Sequence, residues 1–238
     1  MEAALYLIPV SLGGNEISRV LPDYNKSIVH QIKYFIVESK KSAIRSLKMI
    51  DSEIDIDSLT FYDLNEHTDL TKISDCLDPL VKKKMPIGLL SDAGCPAVAD
   101  PGAAAVELAQ KKNLKVVPLV GPSSMILAVM ASGFNGQSFA FNGYLPVKPA
   151  ERAAKLRQLE NRAWNEKQTQ LFIEAPYRNQ KMLETILSTC RKSTKLCIAA
   201  GLTTDQEFIK TRTVEEWKKS ELPDINKIPA IFLIYGNF

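Results

Sequence analysis

The chain has 238 residues, of which 45% are hydrophobic and 24% are charged. This composition supports one large or two small globular domains and excludes a disordered polar chain. The net charge of +3 permits an anionic partner, but the sequence pI of ≈ 8.5 is below the value above ~9 that is typical of nucleic-acid binding by charge alone. The four cysteines lack CxxC spacing, which argues against a zinc site and against a disulfide framework.

The amino-terminal segment does not have the pattern of a secretion signal. An acidic residue, Glu2, stands where such a signal carries basic residues, and Pro9 interrupts the first apolar run. No uncharged apolar stretch approaches the ~20 residues required to span a bilayer. We therefore expect a cytoplasmic protein that has no membrane-spanning segment.

Short apolar runs alternate with amphipathic stretches through the first half of the chain, a pattern that predicts strands joined by crossover helices and hence an α/β fold. The predicted strands are 5–8, 34–37, 59–62, 87–90 and 115–118. The predicted helices between them are 39–50, 67–84 and 102–112. Together they predict an amino-terminal α/β domain that covers residues 1–118.

A second α/β domain is predicted over residues 119–238, after the turn signal Gly121-Pro122. Ser123 or Ser124 is placed to cap an apolar helix at 125–131. The remaining predicted strands are 139–141, 170–174, 195–200 and 230–235, and the remaining predicted helices are 149–166 and 178–190.

The segment 87–96 (IGLLSDAGCP) is a buried-type strand that leads into a turn of small residues. Ligands of open α/β sheets bind beyond the carboxyl ends of strands, where small residues let the backbone approach and polar groups bind the ligand. Asp92 and Gly94 have those positions. The alternative is an ordinary strand-to-helix turn in which Asp92 caps and Gly94 provides an unusual dihedral angle. Neither GxGxxG nor a Walker lysine motif is present, which argues against dinucleotide and nucleoside-triphosphate folds.

Two further segments contain residues that could bind a ligand. In 117–124 (VPLVGPSS) a strand precedes a helix whose free N–H groups could bind a carboxylate or a ribose hydroxyl, although a capped linker helix accounts for it equally well. In 172–178 (FIEAPYR) a strand end brings Glu174 close to Arg178. This pair would hold a substrate, or it would be an ion pair that fixes the start of a helix.

In their order along the chain, these segments resemble the tetrapyrrole methylase superfamily, and most closely its bacterial small-subunit rRNA (cytidine 2′-O)-methyltransferase branch. Segment 5–15 is similar to the opening strand and glycine-containing loop, and 91–102 is similar to the signature, with Cys95 in place of the usual threonine. Segments 116–123 and 139–146 resemble the interdomain region and the Gly-Phe-Leu-Pro stretch that follows. Segments 172–178 and 229–236 resemble the Glu-Ser-Thr-His-Arg strand end and the closing strand.

The resemblance implies a methyltransferase with two α/β domains, each a sheet flanked by helices, that binds S-adenosyl-L-methionine in the interdomain cleft and releases S-adenosyl-L-homocysteine. It also implies a homodimer. The residues that correspond to cofactor-binding positions are Pro9, Ser91, Asp92, Ala93, Gly94, Ala97, Ser123, Ser124, Glu174, Ala175, Ala199, Leu202, Pro229 and Ala230. No metal is implied, because a sulfonium methyl group is already electrophilic.

The sequence departs from the rRNA branch in the region that the resemblance implies to face the acceptor. Segment 38–41 reads ESKK where the branch has Glu-Asp-Thr-Arg, and 62–66 reads YDLNE where it has His-Asp-His-Asn-Glu. For a hydroxyl acceptor, Glu38, Glu66 or Glu174 would help to remove the proton and Asn65 would orient the group. Exposed glutamates are, however, commonly surface residues without a catalytic role.

Four functions follow from these observations. The first is methylation of an rRNA ribose 2′-hydroxyl, with rRNA or the small ribosomal subunit as the partner. The second is C-methylation of a tetrapyrrole, whose carboxylates lysines and arginines would hold. The third is a non-catalytic S-adenosylmethionine-binding module, and the fourth is a nucleotide-binding oxidoreductase, which the absent glycine fingerprint disfavours.

Overall fold

The elements in the first half of the chain build one parallel sheet. The computed structural model describes residues 1–65, 68 and 72–236. The strands of this sheet are β1 (Leu5–Leu7), β2 (Tyr34–Val37), β3 (Thr60–Asp63), β4 (Ile87–Leu90) and β5 (Val116–Pro118). Their order is β3-β2-β4-β1-β5, and every neighbouring pair is parallel. Parallel pairing requires crossover connections, which is why each strand is followed by a helix or a long turn.

Helices connect these strands on both faces of the sheet. They are α1 (Asp23–Val29), α2 (Lys40–Ile50), α3 (Ile73–Cys76), α4 (Asp78–Lys83) and α5 (Ala103–Lys111). Two apolar clusters, one including Phe35 and Leu47 and the other including Ile36 and Leu77, form its core. All four residues of β4 are buried, as expected for a central strand of a parallel sheet.

The remaining elements build a mixed sheet. Its strands are β6 (Phe139–Tyr144), β7 (Thr169–Ile173), β8 (Lys195–Ala200), β9 (Phe208–Thr213) and β10 (Ala230–Tyr235), in the order β6-β7-β10-β8-β9. Strands β6 and β7 pair in parallel, and the other neighbours are antiparallel. Its helices are α6 (Ser124–Ser132), α7 (Pro149–Asn165), α8 (Asn179–Thr189) and α9 (Val214–Lys218). One apolar cluster that includes Phe172 and Phe232 forms the core.

The chain divides into two compact units, the first ending at Ser123 and the second beginning at Ser124. The sequence predicted a boundary at 118/119. The expected α/β class, with each domain a sheet flanked by helices, is confirmed. None of the described helices is long and apolar enough to cross a membrane. Within the described residues, no group of His, Cys, Asp and Glu side chains is arranged to hold a metal ion.

The predicted elements differ from the structure in a few places. The helix expected at 67–84 is, in its described part, the two short helices α3 and α4, because Pro79 has no N–H to continue a helix and occupies the first turn of a new one. Helices α1 and α9 and strand β9 were not predicted. Glu174 was placed in a strand, but β7 ends at Ile173.

Candidate cofactor and acceptor sites

The loops that follow β1, β4 and β5 meet at the carboxyl edge of the first sheet. The N–H of Val10 donates to the carbonyl of Gly94 at 2.9 Å, which joins the loop after β1 to the loop after β4. The Cys95 thiol donates to the carbonyl of Pro122 at 3.3 Å, which adds the loop after β5. Polar groups in such a crevice are placed for ligand binding.

Gly94 has the backbone conformation on which this junction depends. Its φ of +71° lies in the left-handed region, and an added Cβ would be 3.0 Å from Cδ2 of Leu12 and 3.3 Å from the Pro122 carbonyl oxygen. The unusual dihedral angle that the sequence predicted at Gly94 is confirmed. The two interpretations of this turn, structural constraint and ligand approach, are compatible.

Asp92 presents an exposed carboxylate in the same loop. That carboxylate has no hydrogen-bond or ion-pair partner among the described residues, whereas the Asp92 N–H donates to Oε2 of Glu38 at 3.4 Å. Glu38 directly follows β2, so the contact brings one predicted catalytic residue beside the predicted cofactor loop. Ser91 is buried, and its hydroxyl donates to the carbonyl of Ala93 at 3.2 Å, which holds the turn closed beneath Asp92.

Asp100 stabilises the next part of the loop, a role that sequence reasoning did not assign. Its carboxylate accepts from the N–H of Ala97 at 2.7 Å and from the N–H of Gly102 at 2.6 Å. Ala97 has a φ of +65°. The hydrogen bond from its N–H to Asp100 holds the alanine in this left-handed conformation, which residues other than glycine rarely adopt. Burial raises the pKa of the Asp100 carboxyl above its ordinary value, against the lowering effect of these backbone hydrogen bonds. The Asp-Pro-Gly sequence of 100–102 was the available signal.

Pro9 lies in the loop after β1, and Ser123 lies in the segment after β5. Pro9 packs directly against Gly121, where there is no room for a side chain. Ser123 follows Pro122 and ends the first unit, and Ser124 is the first residue of α6 in the second unit.

Asn65, another predicted catalytic residue, follows β3 at the edge of the first sheet. The N–H of Asn65 donates to Oγ1 of Thr68 at 2.9 Å, which forms a local turn. Strand β2 separates β3 from β4, so Asn65 and Asp92 belong to loops of non-adjacent strands. Glu66, the third predicted catalytic residue, lies outside the described residues.

The predicted cofactor residues of the second unit lie at one end of its sheet. The carboxyl ends of β7 and β8 flank the start of β10, because β10 is antiparallel to both. Consistent with this, the N–H of Gly201 donates to the carbonyl of Pro229 at 2.9 Å, and Ala230 is paired with Ala200. The residues brought together at this end are Glu174, Ala175, Leu202, Pro229 and Ala230. Ala199 lies one residue before the end of β8 and is also buried.

Glu174 forms a buried ion cluster with two arginines. Its Oε1 accepts from the N–H of Ala175 at 2.8 Å and from Nε and Nη2 of Arg178 at 3.0 and 2.6 Å. Its Oε2 lies 3.9 Å from Nη1 of Arg152 and has no hydrogen-bond partner in the described part of the chain. The predicted proximity of Glu174 and Arg178 is correct. Sequence reasoning missed Arg152 as a partner, although its side chain is only 2% exposed.

Known proteins match almost the whole chain. It is 30% identical over 236 residues to Ribosomal RNA small subunit methyltransferase I of Vibrio cholerae, covering 98% of this chain and 77% of that protein. The protein of the same name from Streptococcus pyogenes is 29% identical over 94% of this chain and 70% of its own. The one from Buchnera aphidicola is 32% identical over 69% of this chain, and the alignment spans 58% of that protein. No protein-family profile matches the sequence.

Solved structures share the fold. The methyltransferase CobJ aligns with a TM-score of 0.63 and 15% identity over 98% of this chain and 94% of its own. The cobalamin biosynthetic enzyme CbiF, a cobalt precorrin-4 methyltransferase, aligns with a TM-score of 0.60 and 15% identity over 98% of this chain and 95% of its own. The resemblance to tetrapyrrole methylases and the prediction of a methyltransferase are thereby confirmed. The chain belongs to the ribosomal RNA small subunit methyltransferase I family, and it shares its fold with CobJ and CbiF.

Proposed function

We propose that this chain transfers a methyl group from S-adenosyl-L-methionine to a ribose 2′-hydroxyl of small-subunit rRNA. The proposal rests on the turn at Gly94 in a chain of this family. The loops after β1, β4 and β5 meet there. The same turn carries the exposed carboxylate of Asp92, which has no partner among the described residues. Family membership favours RNA over a tetrapyrrole as the acceptor, since the likeness to CobJ and CbiF extends only to the fold.

The residues present fit S-adenosylmethionine. An ionised carboxylate is acceptor-only, so Asp92 suits the paired hydroxyls of a ribose. The glycine at position 94 lets a ligand approach the backbone closely, and Ala93 adds no bulk beside it. In the second unit, Ala175, Leu202 and Ala230 are small or apolar, as the environment of an adenine ring requires. We propose both sets, together with Pro9, Ser91, Ala97, Ser123, Ser124, Glu174, Ala199 and Pro229, as cofactor contacts.

When bound, S-adenosylmethionine supplies an electrophilic methyl group on a sulfonium. The task left to the protein is to orient the acceptor and exclude water. In our proposal Glu38 accepts the proton of the ribose hydroxyl, Asn65 orients that hydroxyl, and Glu66 is the alternative base. The hydrogen bond from the Asp92 N–H to Glu38 supports this assignment, because it fixes the glutamate beside the cofactor loop.

Calorimetric titration with S-adenosyl-L-homocysteine tests the cofactor site. We expect Asp92→Asn to weaken binding about tenfold or more, since a hydrogen bond to a charged group contributes roughly 1.5–3 kcal/mol. Asp57→Asn is the matched control, because Asp57 is an exposed aspartate in a turn of the same unit. Equal affinities for both variants would overturn the assignment of Asp92.

Transfer of a labelled methyl group into small-subunit rRNA tests the acceptor. Wild-type protein should label this RNA, and Glu38→Gln should lower kcat by about 10²–10⁴-fold if Glu38 is the base. Glu221→Gln, at an exposed glutamate of the second unit, should leave kcat unchanged. Labelling of a tetrapyrrole in place of RNA would refute the proposed acceptor.

The family resemblance also supports a cytoplasmic homodimer. Light scattering of the purified chain measures its mass in solution, and a mass near the 26.5 kDa of one chain would contradict the dimer.

A further inference from the structure

Two exposed tyrosines lie at the same end of the second sheet. Tyr144 is the last residue of β6 and is paired with Ile173, the last residue of the parallel strand β7. Tyr177 follows in the 3-10 turn Pro176–Arg178. Their side chains are 64% and 66% exposed, although each ring carries a large apolar surface that is normally at least half buried.

Backbone hydrogen bonds and an arginine hold Tyr177 and its turn in place. The guanidinium carbon of Arg178 lies 5.2 Å from the centre of the Tyr177 ring, within the range of a cation–π contact. Arg178 is itself fixed by two hydrogen bonds to the buried carboxylate of Glu174. Two backbone hydrogen bonds stabilise the turn. The N–H of Arg178 donates to the carbonyl of Ala175 at 2.7 Å, and the N–H of Lys227 donates to the carbonyl of Pro176 at 3.0 Å. Preorganised side chains lose little entropy when they bind a ligand.

Two exposed lysines lie near the tyrosines. Lys148, four residues after Tyr144, is 79% exposed, and Lys227 is exposed beside the turn. Glu151 pairs with Lys148 at 3.1 Å, and Glu174 is fully buried. Asp224, three residues before Lys227, is exposed. Arg178, Lys148 and Lys227 are therefore the cationic groups beside the tyrosines that are placed to contact phosphates.

We propose that Tyr144, Tyr177 and Arg178, the tyrosine–arginine surface, stack unpaired bases of the RNA that flank the nucleotide to be methylated. The inference rests on the proposed function, because it takes RNA as the acceptor. Aromatic side chains beside a cationic path are the general means of binding single-stranded nucleic acid, since every base has a π face and every linkage has a charge. Its place fits this role, since Tyr177 lies two residues after Ala175, a proposed cofactor residue.

Fluorescence anisotropy with a mixed-sequence single-stranded RNA dodecamer, and with the duplex of the same sequence, tests the stacking. We expect Tyr144→Ala and Tyr177→Ala each to weaken single-strand binding about tenfold, in the middle of the range for one stacked base. The matched controls Tyr144→Phe and Tyr177→Phe should bind within about twofold of wild type, because the ring is retained. Duplex binding should change much less, since paired bases are not free to stack. Unchanged single-strand affinity in the double alanine variant, or equal losses in the phenylalanine variants, would overturn the proposal.

Further measurements separate this inference from folding and from the proposed function. S-adenosylhomocysteine affinity of the double alanine variant should equal that of wild type if the variant is folded.

With small-subunit rRNA as substrate, that variant should show a raised KM. An unchanged KM in an active enzyme would refute the surface and leave the proposed function intact. Tyrosine-dependent RNA binding without methyl transfer by wild type would refute the proposed function and leave the surface intact. A changed oligomeric state with unaltered RNA affinity would assign the tyrosines to a protein interface and overturn the proposal.

Discussion

The backbone of Gly121 lies so close to the ring of Pro9 that a Cβ atom on Gly121 would be 2.2 Å from the Cβ of Pro9. No pair of non-bonded carbon atoms tolerates that distance, so a side chain at position 121 would push the two loops apart. The contact fixes the loop after β5 against the loop after β1 at the edge where we place the cofactor.

Gly121→Ala should therefore destabilise the first unit by about 1–3 kcal/mol, the usual cost of overpacking a tight contact. Hydrogen–deuterium exchange of the β1 amides should report the loss. Gly136→Ala is the control, because the nearest atom to its added Cβ is 3.6 Å away. Equal protection of β1 in both variants would show that the loops move apart freely.

Alanine substitutions at Gly94 and Gly143 distinguish the effect of backbone strain from that of steric crowding. Both have a positive φ, +71° and +61°, but only the Cβ at Gly94 would meet neighbouring atoms. Alanine at either position should cost about 1 kcal/mol through its left-handed dihedral angle. Only Gly94→Ala should also lose S-adenosylhomocysteine affinity in a calorimetric titration. If Gly143→Ala lost it equally, strain alone would account for the effect.

Substitutions in the ion cluster around Glu174 should differ in how much they lower the free energy of unfolding. Glu174→Ala leaves the buried Arg152 without its counter-charge, and we expect a cost of about 3–5 kcal/mol. Arg152→Met should cost less, because Glu174 keeps its hydrogen bonds to Arg178 and Ala175. Urea unfolding followed by tryptophan fluorescence is suited to this test, since Trp164 and Trp217 both lie in the second unit. Arg162→Met, which breaks a surface pair, should change stability by less than ~1 kcal/mol.

Asp51 predicts a loss of stability in acid. Its side chain is 1% exposed, with Oδ2 2.8 Å from Nδ1 of His30 and Oδ1 3.5 Å from Nζ of Lys26. The hydrogen bond to His30 is the main reason that the pKa of the Asp51 carboxyl lies below its ordinary value of 3.8. A lowered folded-state pKa means that this stability is present above the unfolded-state pKa and is lost as the pH falls through the folded-state pKa.

Urea midpoints measured by far-UV circular dichroism at neutral pH and near pH ~3 test this sign. Asp51→Asn should be less stable than wild type at neutral pH and should lose less on acidification. Asp57→Asn, at an exposed site without an ion pair in the described residues, should lose as much as wild type. A parallel acid response in wild type and Asp51→Asn would contradict the prediction.

Sequence patterns predicted the buried strands better than the amphipathic edge strand β9. Strands β2, β4, β8 and β10 have the predicted bounds, because each is a nearly continuous apolar run, as is typical of a strand buried on both faces. Strand β9 was missed, since Phe208–Thr213 is an edge strand of alternating threonine and basic residues. Helix α9 had an available signal, the capping box between Thr213 and Glu216.

The site was predictable to the extent that it depends on local backbone. The turn at Gly94 was located because a glycine among small residues, directly after a buried strand, is typical of a left-handed turn with close backbone contacts. The burial of Arg152 was not predictable, because an arginine in a helix is ordinarily exposed and its partner Glu174 lies in the loop after β7, 22 residues further along the chain. The proximity of Glu38 to Asp92 depends on β2 lying beside β4, a strand order that periodicity alone does not give.

That strand order also bears on how the protein is made. Strand β1 is the first to be synthesised, yet its neighbours among the described strands, β4 and β5, are the last strands of its sheet. During translation Leu5–Leu7 therefore leaves the exit tunnel long before residues 87–118 can enclose it, and contacts so distant along the chain form slowly. The first sheet therefore cannot be completed until its fifth strand emerges, whereas β8 and β9 of the second unit can pair as soon as both are made.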